Sequence, residues 1–155
     1  MILGDAIRAE IDELATRYPE RRGALLPALH LVEREHGHIS PDATRELADL
    51  FGLRPNEVLA VVSFYEMFGT EPRGRHRAGV CTNLPCSLRG ARTLLAQLEL
   101  HLGVRAGETT DDGRLTLGRE ECLGACAAAP MMRVDEVDHE HLDFEKASAI
   151  LDGLE

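Results

Sequence analysis

Two tight pairs of cysteine constrain this chain more than any other feature. Cys81 and Cys86 stand in "CTNLPC", Cys122 and Cys126 in "ECLGAC", and the 155 residues contain no other cysteine. C-x4-C and C-x3-C each bring two sulfurs within reach of one centre by a short loop. The long stretch between the pairs means that the fold must carry two separate loops to one place. Four Cys thiolates can hold a two-iron cluster, two terminal sulfurs to each iron. A structural zinc site also takes four Cys at similar spacing, so spacing alone leaves both open. Disulfides are disfavoured, because "MILGDAIRAEIDELATRYP" has acids where a secretory signal would have a basic end and an apolar stretch. A cytosolic chain with reduced thiols is therefore expected. A dithiol oxidoreductase is disfavoured by the absence of C-x-x-C.

Charge narrows the function classes. The formal net charge is −10, and no basic footprint for nucleic acid is present. The same balance disfavours an anionic membrane surface, and no apolar run is long enough to span a bilayer. Of the 17 basic residues all but Lys146 are Arg, which reads as coding bias.

The first half reads as helices. Ile7, Ile11 and Leu14 recur at helical spacing, with Pro19 expected to end the pattern. Leu25, Leu26, Leu29 and Val32 form a second apolar stripe, stopped at Gly37. Ser40 and Pro41 read as the N-cap and first residue of a third helix closed by Gly52. A fourth starts at Pro55 and carries Val58, Val61, Val62 and Tyr65. The Gly, Pro and charge cluster "GTEPRGRHR" marks a domain boundary, giving residues 1–72 as a small helical bundle and 73–155 as a second domain. In that second half "RAGV" is a strand weakened by Gly79, "SLRGARTLLAQLELHLG" a strong helix, "GRLTLG", where Leu115 and Leu117 alternate with polar residues, and "PMMRV" strands, and "DFEKASAILDGL" a closing helix. The class expected is α+β.

The surroundings of the cysteines suit a cluster. A helix beginning at Ser87, directly after Cys86, would offer unpaired N–H groups and a positive dipole end to a thiolate, with Arg89 and Arg92 close behind. The second loop, "CLGACAAAP", is nearly all Gly and Ala, so that backbone amides can approach the sulfurs.

With these motifs in view, "VCTNLPCSLRGA", "ECLGACAAAPMMRV", "ISPDATRELADLFGLRPNEVLAVVSFYEMF" and "GETTDDGRLTL" together resemble the [2Fe–2S]-carrying E subunits of NADH–quinone oxidoreductase, respiratory complex I. The resemblance runs from about Gly23 to the end. It implies a small helical bundle followed by a thioredoxin-like ferredoxin domain, and a [2Fe–2S] cluster on Cys81, Cys86, Cys122 and Cys126. It also implies a partner that binds FMN and NADH, neither of which the chains resembled here bind themselves. The implied role is electron transfer in an oxidoreductase complex, in the cytoplasmic peripheral arm of a membrane-associated assembly, without insertion into the membrane. Similar modules occur in NAD-dependent formate dehydrogenases and in NAD-reducing or bifurcating hydrogenases, and the core motifs separate these poorly. A zinc-stabilised binding module is the remaining alternative.

Other residues have plainer readings. His36 and His38 flank Gly37, and His139 and His141 stand two apart; loop or strand-edge positions are expected for them, not a metal site. Ser63, Phe64, Tyr65 and Phe68 form an aromatic patch, by default core packing, with contact to a flavin-binding partner as the sharper idea. "DEVDHEHLDFE" reads as a solvated turn.

Overall fold

A computed structural model describes residues 2–65 and 67–155. The chain divides into two compact units, Met1–Pro72 and Arg73–Glu155, and an α+β architecture results: helices first, then a sheet with helices.

The first unit contains helices α1 (Asp5–Ala15), α2 (Leu25–His36), α3 (Pro41–Phe51) and α4 (Pro55–Phe64). Their apolar faces close on one core that includes Ile11, Leu29, Val32, Ile39, Leu47, Ala48 and Val58. The caps are local. The Ser40 hydroxyl accepts from the Ala43 N–H at 3.1 Å, and Gly52 ends α3 at φ 64°, a left-handed conformation that costs glycine little. Two helices end earlier than their sequence suggests. α1 stops at Ala15, before Pro19, because the Thr16 hydroxyl donates to the Glu13 carbonyl at 2.6 Å and the next N–H groups bond three residues back, a tightening that closes the helix. α4 stops at Phe64, and Tyr65 is extended.

The second unit is a four-stranded mixed sheet in the order β2-β1-β3-β4. The strands are β1 (His76–Cys81), β2 (Leu115–Glu120), β3 (Met132–Val134) and β4 (Val137–His139). β1 lies parallel to β2 and antiparallel to β3, and β3 is antiparallel to β4. Helices α5 (Leu84–Leu88) and α6 (Ala91–Leu102) connect β1 towards β2, and α7 (Phe144–Asp152) closes the chain. Ala78, Val80, Leu94, Leu98, Leu115, Leu117, Met132, Val134, Ala147 and Leu151 form the core. β1 and β3 are the interior strands, and Leu115 and Leu117 of β2, at the edge beside β1, are nonetheless fully buried.

β4 corrects the reading of "DEVDHEHLDFE" as a turn only. Its first half is a tight antiparallel return from β3, with Asp135 at φ 52°. Charged residues on a short strand at the sheet's edge are what such edges tolerate, so the polarity conceals the strand. Gly79, which weakens "RAGV" as a strand by itself, has a structural reason. The Glu120 side chain crosses β1 there to meet Arg77 Nη2 at 2.6 Å, and a Cβ on Gly79 would sit 2.6 Å from Glu120 Cγ. Glycine is the residue that leaves room for this ion pair.

The end of the chain is tied to β1. His76 places Nδ1 2.9 Å from Asp135 Oδ2 and Nε2 3.0 Å from the main-chain oxygen of Glu155. The Asp135 bond, then the Glu155 oxygen, push the His76 pKa up, while burial and Arg75 oppose the rise. In the unfolded chain the ring titrates near its ordinary value of about 6.5; in the folded chain it titrates higher. The clamp's contribution is therefore complete below that unfolded value and is lost as pH rises through the raised folded value. His76→Gln is expected to lower the unfolding midpoint most at about pH 6 and progressively less towards about pH 8.5. Thermal melts of both proteins across that range check it, and a gap that fails to narrow would show that the ring does not titrate in the clamp.

Candidate metal centre

The first cysteine loop grows out of interior strand β1. Cys81 is the last residue of β1, buried at 2% exposure, and its N–H donates to the Met131 carbonyl at 3.1 Å. The chain then turns: the Thr82 N–H donates to the Glu120 carbonyl at 2.9 Å, and the Ser87 hydroxyl donates to the Thr82 carbonyl at 2.7 Å. Cys86 is likewise 2% exposed.

The helix at this point differs from the one expected to start at Ser87. Cys86 lies inside α5, which starts at Leu84, and α6 starts only at Ala91. Asn83 caps α5 and Pro85 stands in its first turn, both favourable at a helix start. Gly90, at φ 94°, separates the two helices. The Asn83–Pro85 signal is present in the sequence and places the start before Cys86. The thiol therefore does not sit ahead of a long helix's free N–H groups. It is held on the inward side of a short one.

The second loop leaves β2 at Glu120, turns at Gly124 (φ 83°) and passes through a short 3-10 turn, Cys126–Ala128, before β3. Cys122 and Cys126 are exposed, and all four cysteines are free thiols. β1–β3 pairing and the Cys81–Met131 bond draw this loop against the first. Burial pushes the Cys86 thiol pKa up, with further contributions from the Cys81 and Cys126 thiols, while a main-chain hydrogen bond at Met131 pulls it down. Cys81 and Cys126 thus both lie within electrostatic reach of Cys86. Among the described residues no three His, Cys, Asp or Glu enclose a single ion position.

The donor set fits a cluster on its chemistry. All four groups are sulfur, as iron–sulfur centres use. Two are buried in the first loop and two are exposed on the second, whose other residues between the cysteines are Leu123, Gly124 and Ala125. The histidines are elsewhere: His36 ends α2, with Nε2 buried and unpartnered, His38 follows in the loop, His139 is on edge strand β4 and His141 in the turn after it.

Residues 11–155 match the thioredoxin-like [2Fe-2S] ferredoxin family. One of the NADH-quinone oxidoreductase E subunits of Rhizobium meliloti (strain 1021), that numbered 2, is 44% identical over 148 residues, 96% of this chain and 88% of the relative. The NADH-quinone oxidoreductase E subunit of Mycobacterium tuberculosis (strain ATCC 25618 / H37Rv) is 43% identical over 95% of this chain, which spans only 59% of that relative. Among solved structures, a chain of an NAD+-reducing [NiFe]-hydrogenase in the air-oxidized state superposes with a TM-score of 0.71 at 28% identity. That match covers 83% of this chain and 22% of the hydrogenase chain.

Proposed function

This chain belongs to the thioredoxin-like [2Fe–2S] ferredoxin family, and from that premise we propose that it is an electron-transfer component of an NADH–quinone oxidoreductase, holding one [2Fe–2S] cluster on Cys81, Cys86, Cys122 and Cys126. The observation that carries the reading is the placement of four free thiols on two adjoining loops at the end of interior strand β1 in a domain of this family.

A [2Fe–2S] cluster, when bound, takes up and gives back one electron. The chain's own residues set the conditions. Cys81 and Cys86 present sulfurs from the buried side, with Cys81 fixed at its main chain by Met131. Cys122 and Cys126 present theirs from the exposed side. Core side chains keep water from one flank only, so the other remains open to a partner. Hydride chemistry belongs in this reading to FMN and NADH on that partner, a flavin-binding subunit of the same complex. No helix among the described residues is long and apolar enough to cross a membrane. In this reading the chain sits in the cytoplasmic peripheral arm of a membrane-associated assembly. A second reading is the corresponding component of an NAD-reducing or bifurcating hydrogenase or an NAD-dependent formate dehydrogenase; of these, the superposition on the hydrogenase chain supports the NAD-reducing hydrogenase.

The purified protein is expected to be red-brown, with about two iron atoms and two inorganic sulfides per chain, and its reduced form to give a [2Fe–2S] EPR signal. A colourless protein with one zinc and no iron would overturn the reading in favour of a structural site. Whether NADH, formate or hydrogen reduces the purified assembly separates the two parent complexes.

A further inference from the structure

The side chain of Glu120 starts beside a candidate cluster ligand and ends away from it. In the parallel β1–β2 register Cys81 stands opposite Glu120, and Gly79 opposite Gly118. Alternation along β1 puts Arg77, Gly79 and Cys81 on one face of the sheet, and Gly118 and Glu120 share that face on β2. Neighbouring strands lie about 4.8 Å apart, so an upright Glu120 side chain would stand next to the Cys81 sulfur. Instead it folds back over two facing glycines. A Cβ on Gly79 would meet Glu120 Oε1 at 2.8 Å, and one on Gly118 would meet it at 3.7 Å. Arg77 holds the far end, with Nη2 2.6 Å from Oε1. Gly79 precedes Cys81 by two residues, about 7 Å along a strand.

The main chain of Glu120 is tied to the thiol loops all the same. Its carbonyl accepts from the Thr82 N–H at 2.9 Å and from the Thr82 hydroxyl at 3.3 Å. Thr82 follows Cys81, and Cys122 lies two residues beyond Glu120, so this oxygen joins the roots of both loops. The backbone of Glu120 is thus held at the site while its charge is drawn off. Arg77 is itself anchored: its N–H donates to Asp135 Oδ1 at 2.9 Å, and its carbonyl accepts from the Asp135 N–H at 2.8 Å. The separation has a chemical consequence. Four thiolates on two irons leave an oxidised centre with a charge of about −2, and reduction adds another negative charge. A carboxylate alongside would oppose that electron. The Glu120 side chain is only 17% exposed, where water and salt screen its charge poorly.

We propose that Arg77, Gly79 and Gly118 are positioning residues for the cluster: they hold the Glu120 carboxylate back from Cys81, so that the acid in register with this ligand does not oppose reduction. The inference rests on the [2Fe–2S] reading above and deepens it by naming residues that set the cluster's potential without touching it. Arg77 supplies the countercharge, and the two glycines supply the room. Any larger residue at position 79 meets the Glu120 side chain first at Cγ, 2.6 Å away. The atoms it displaces belong to a flexible side chain, so the strand can stay in place while the carboxylate moves.

The test uses the full-length, cluster-loaded chain. Redox titration followed by EPR reads the reduction potential, and visible absorbance during incubation with an iron chelator reads cluster loss. Gly79→Ala changes no charge, and it is expected to lower the potential and to speed cluster loss about tenfold. Arg77→Met is expected to lower the potential as well. Glu120→Gln keeps the shape of the side chain and removes its charge. In the Glu120→Gln background the drop caused by Gly79→Ala is expected to vanish, and the drop caused by Arg77→Met to shrink, because the charge they release is gone. A role in packing alone would lower the potential equally with and without the Glu120 charge. An unchanged potential in Gly79→Ala, or equal drops in the two backgrounds, overturns the proposal and leaves the electron-transfer reading standing. If Gly79→Ala takes up no cluster, the Arg77→Met pair decides by the same comparison. A parent chain that carries no two-iron cluster overturns the functional reading, and this inference with it.

Discussion

Serine at Cys86 or at Cys122 is expected to abolish the cluster, with visible absorbance and iron content falling at least about tenfold in each. A hydroxyl is a poor substitute for a soft thiolate, and three cysteine thiolates would leave the proposed cluster one terminal ligand short. The two variants should differ once iron is removed. Cys86 is buried against Cys81 and a main-chain bond at Met131, so exchanging its sulfur for a smaller, more polar oxygen should destabilise the apo chain by about 1 kcal/mol. Cys122 is exposed, and its replacement should leave the apo chain within about 0.5 kcal/mol of the parent. Iron analysis with chemical denaturation of both apo proteins reads the two effects separately. A Cys122→Ser protein with the parent spectrum would remove that residue from the ligand set.

Leu117→Ala should have the largest effect on folding. Leu117 is fully buried on β2, the parallel partner of β1, and its truncation removes transfer free energy and leaves a void. The expected loss is about 2–5 kcal/mol, a fall of roughly 10 °C or more in the melting of a unit of this size. Calorimetry on demetallated protein is the suitable readout, because cluster binding adds its own free energy to folding. It also avoids a blind spot, since both tyrosines, Tyr18 and Tyr65, precede Arg73 and the chain has no Trp. Leu100→Ala, on the exposed side of α6, is the matched control and should stay within about 0.5 kcal/mol. A loss under about 1 kcal/mol at Leu117 would mean that Met132, Leu115 and their neighbours close over the gap, the outcome that a rigid, well-packed core does not permit.

The helices of the first unit are legible because their signals are local: an apolar residue every third or fourth position, Ser40 before Pro41, and Gly52 after Phe51. Where two local signals compete, the structure differs from the expectation by a few residues. Pro19 reads as the stop of α1, but the Thr16 hydroxyl closes the helix first. Ser87 reads as the start of a helix, but Asn83 and Pro85 begin one earlier, and so the thiol of Cys86 lies inside a helix and not ahead of it. β4 escapes for another reason. Val137–His139 has no apolar alternation of its own, and only its pairing with β3 makes it a strand.

By itself the sequence determined that four thiols stand in two pairs and that helices precede a sheet. Each is a property of neighbours along the chain. Only the tertiary structure decided that Cys81 and Cys86 are buried while Cys122 and Cys126 are exposed, and that Glu120 lies over Gly79. Burial is set by what lies opposite in space, and here the opposing residues come from β2 and β3, far away in the chain, where no periodicity reaches.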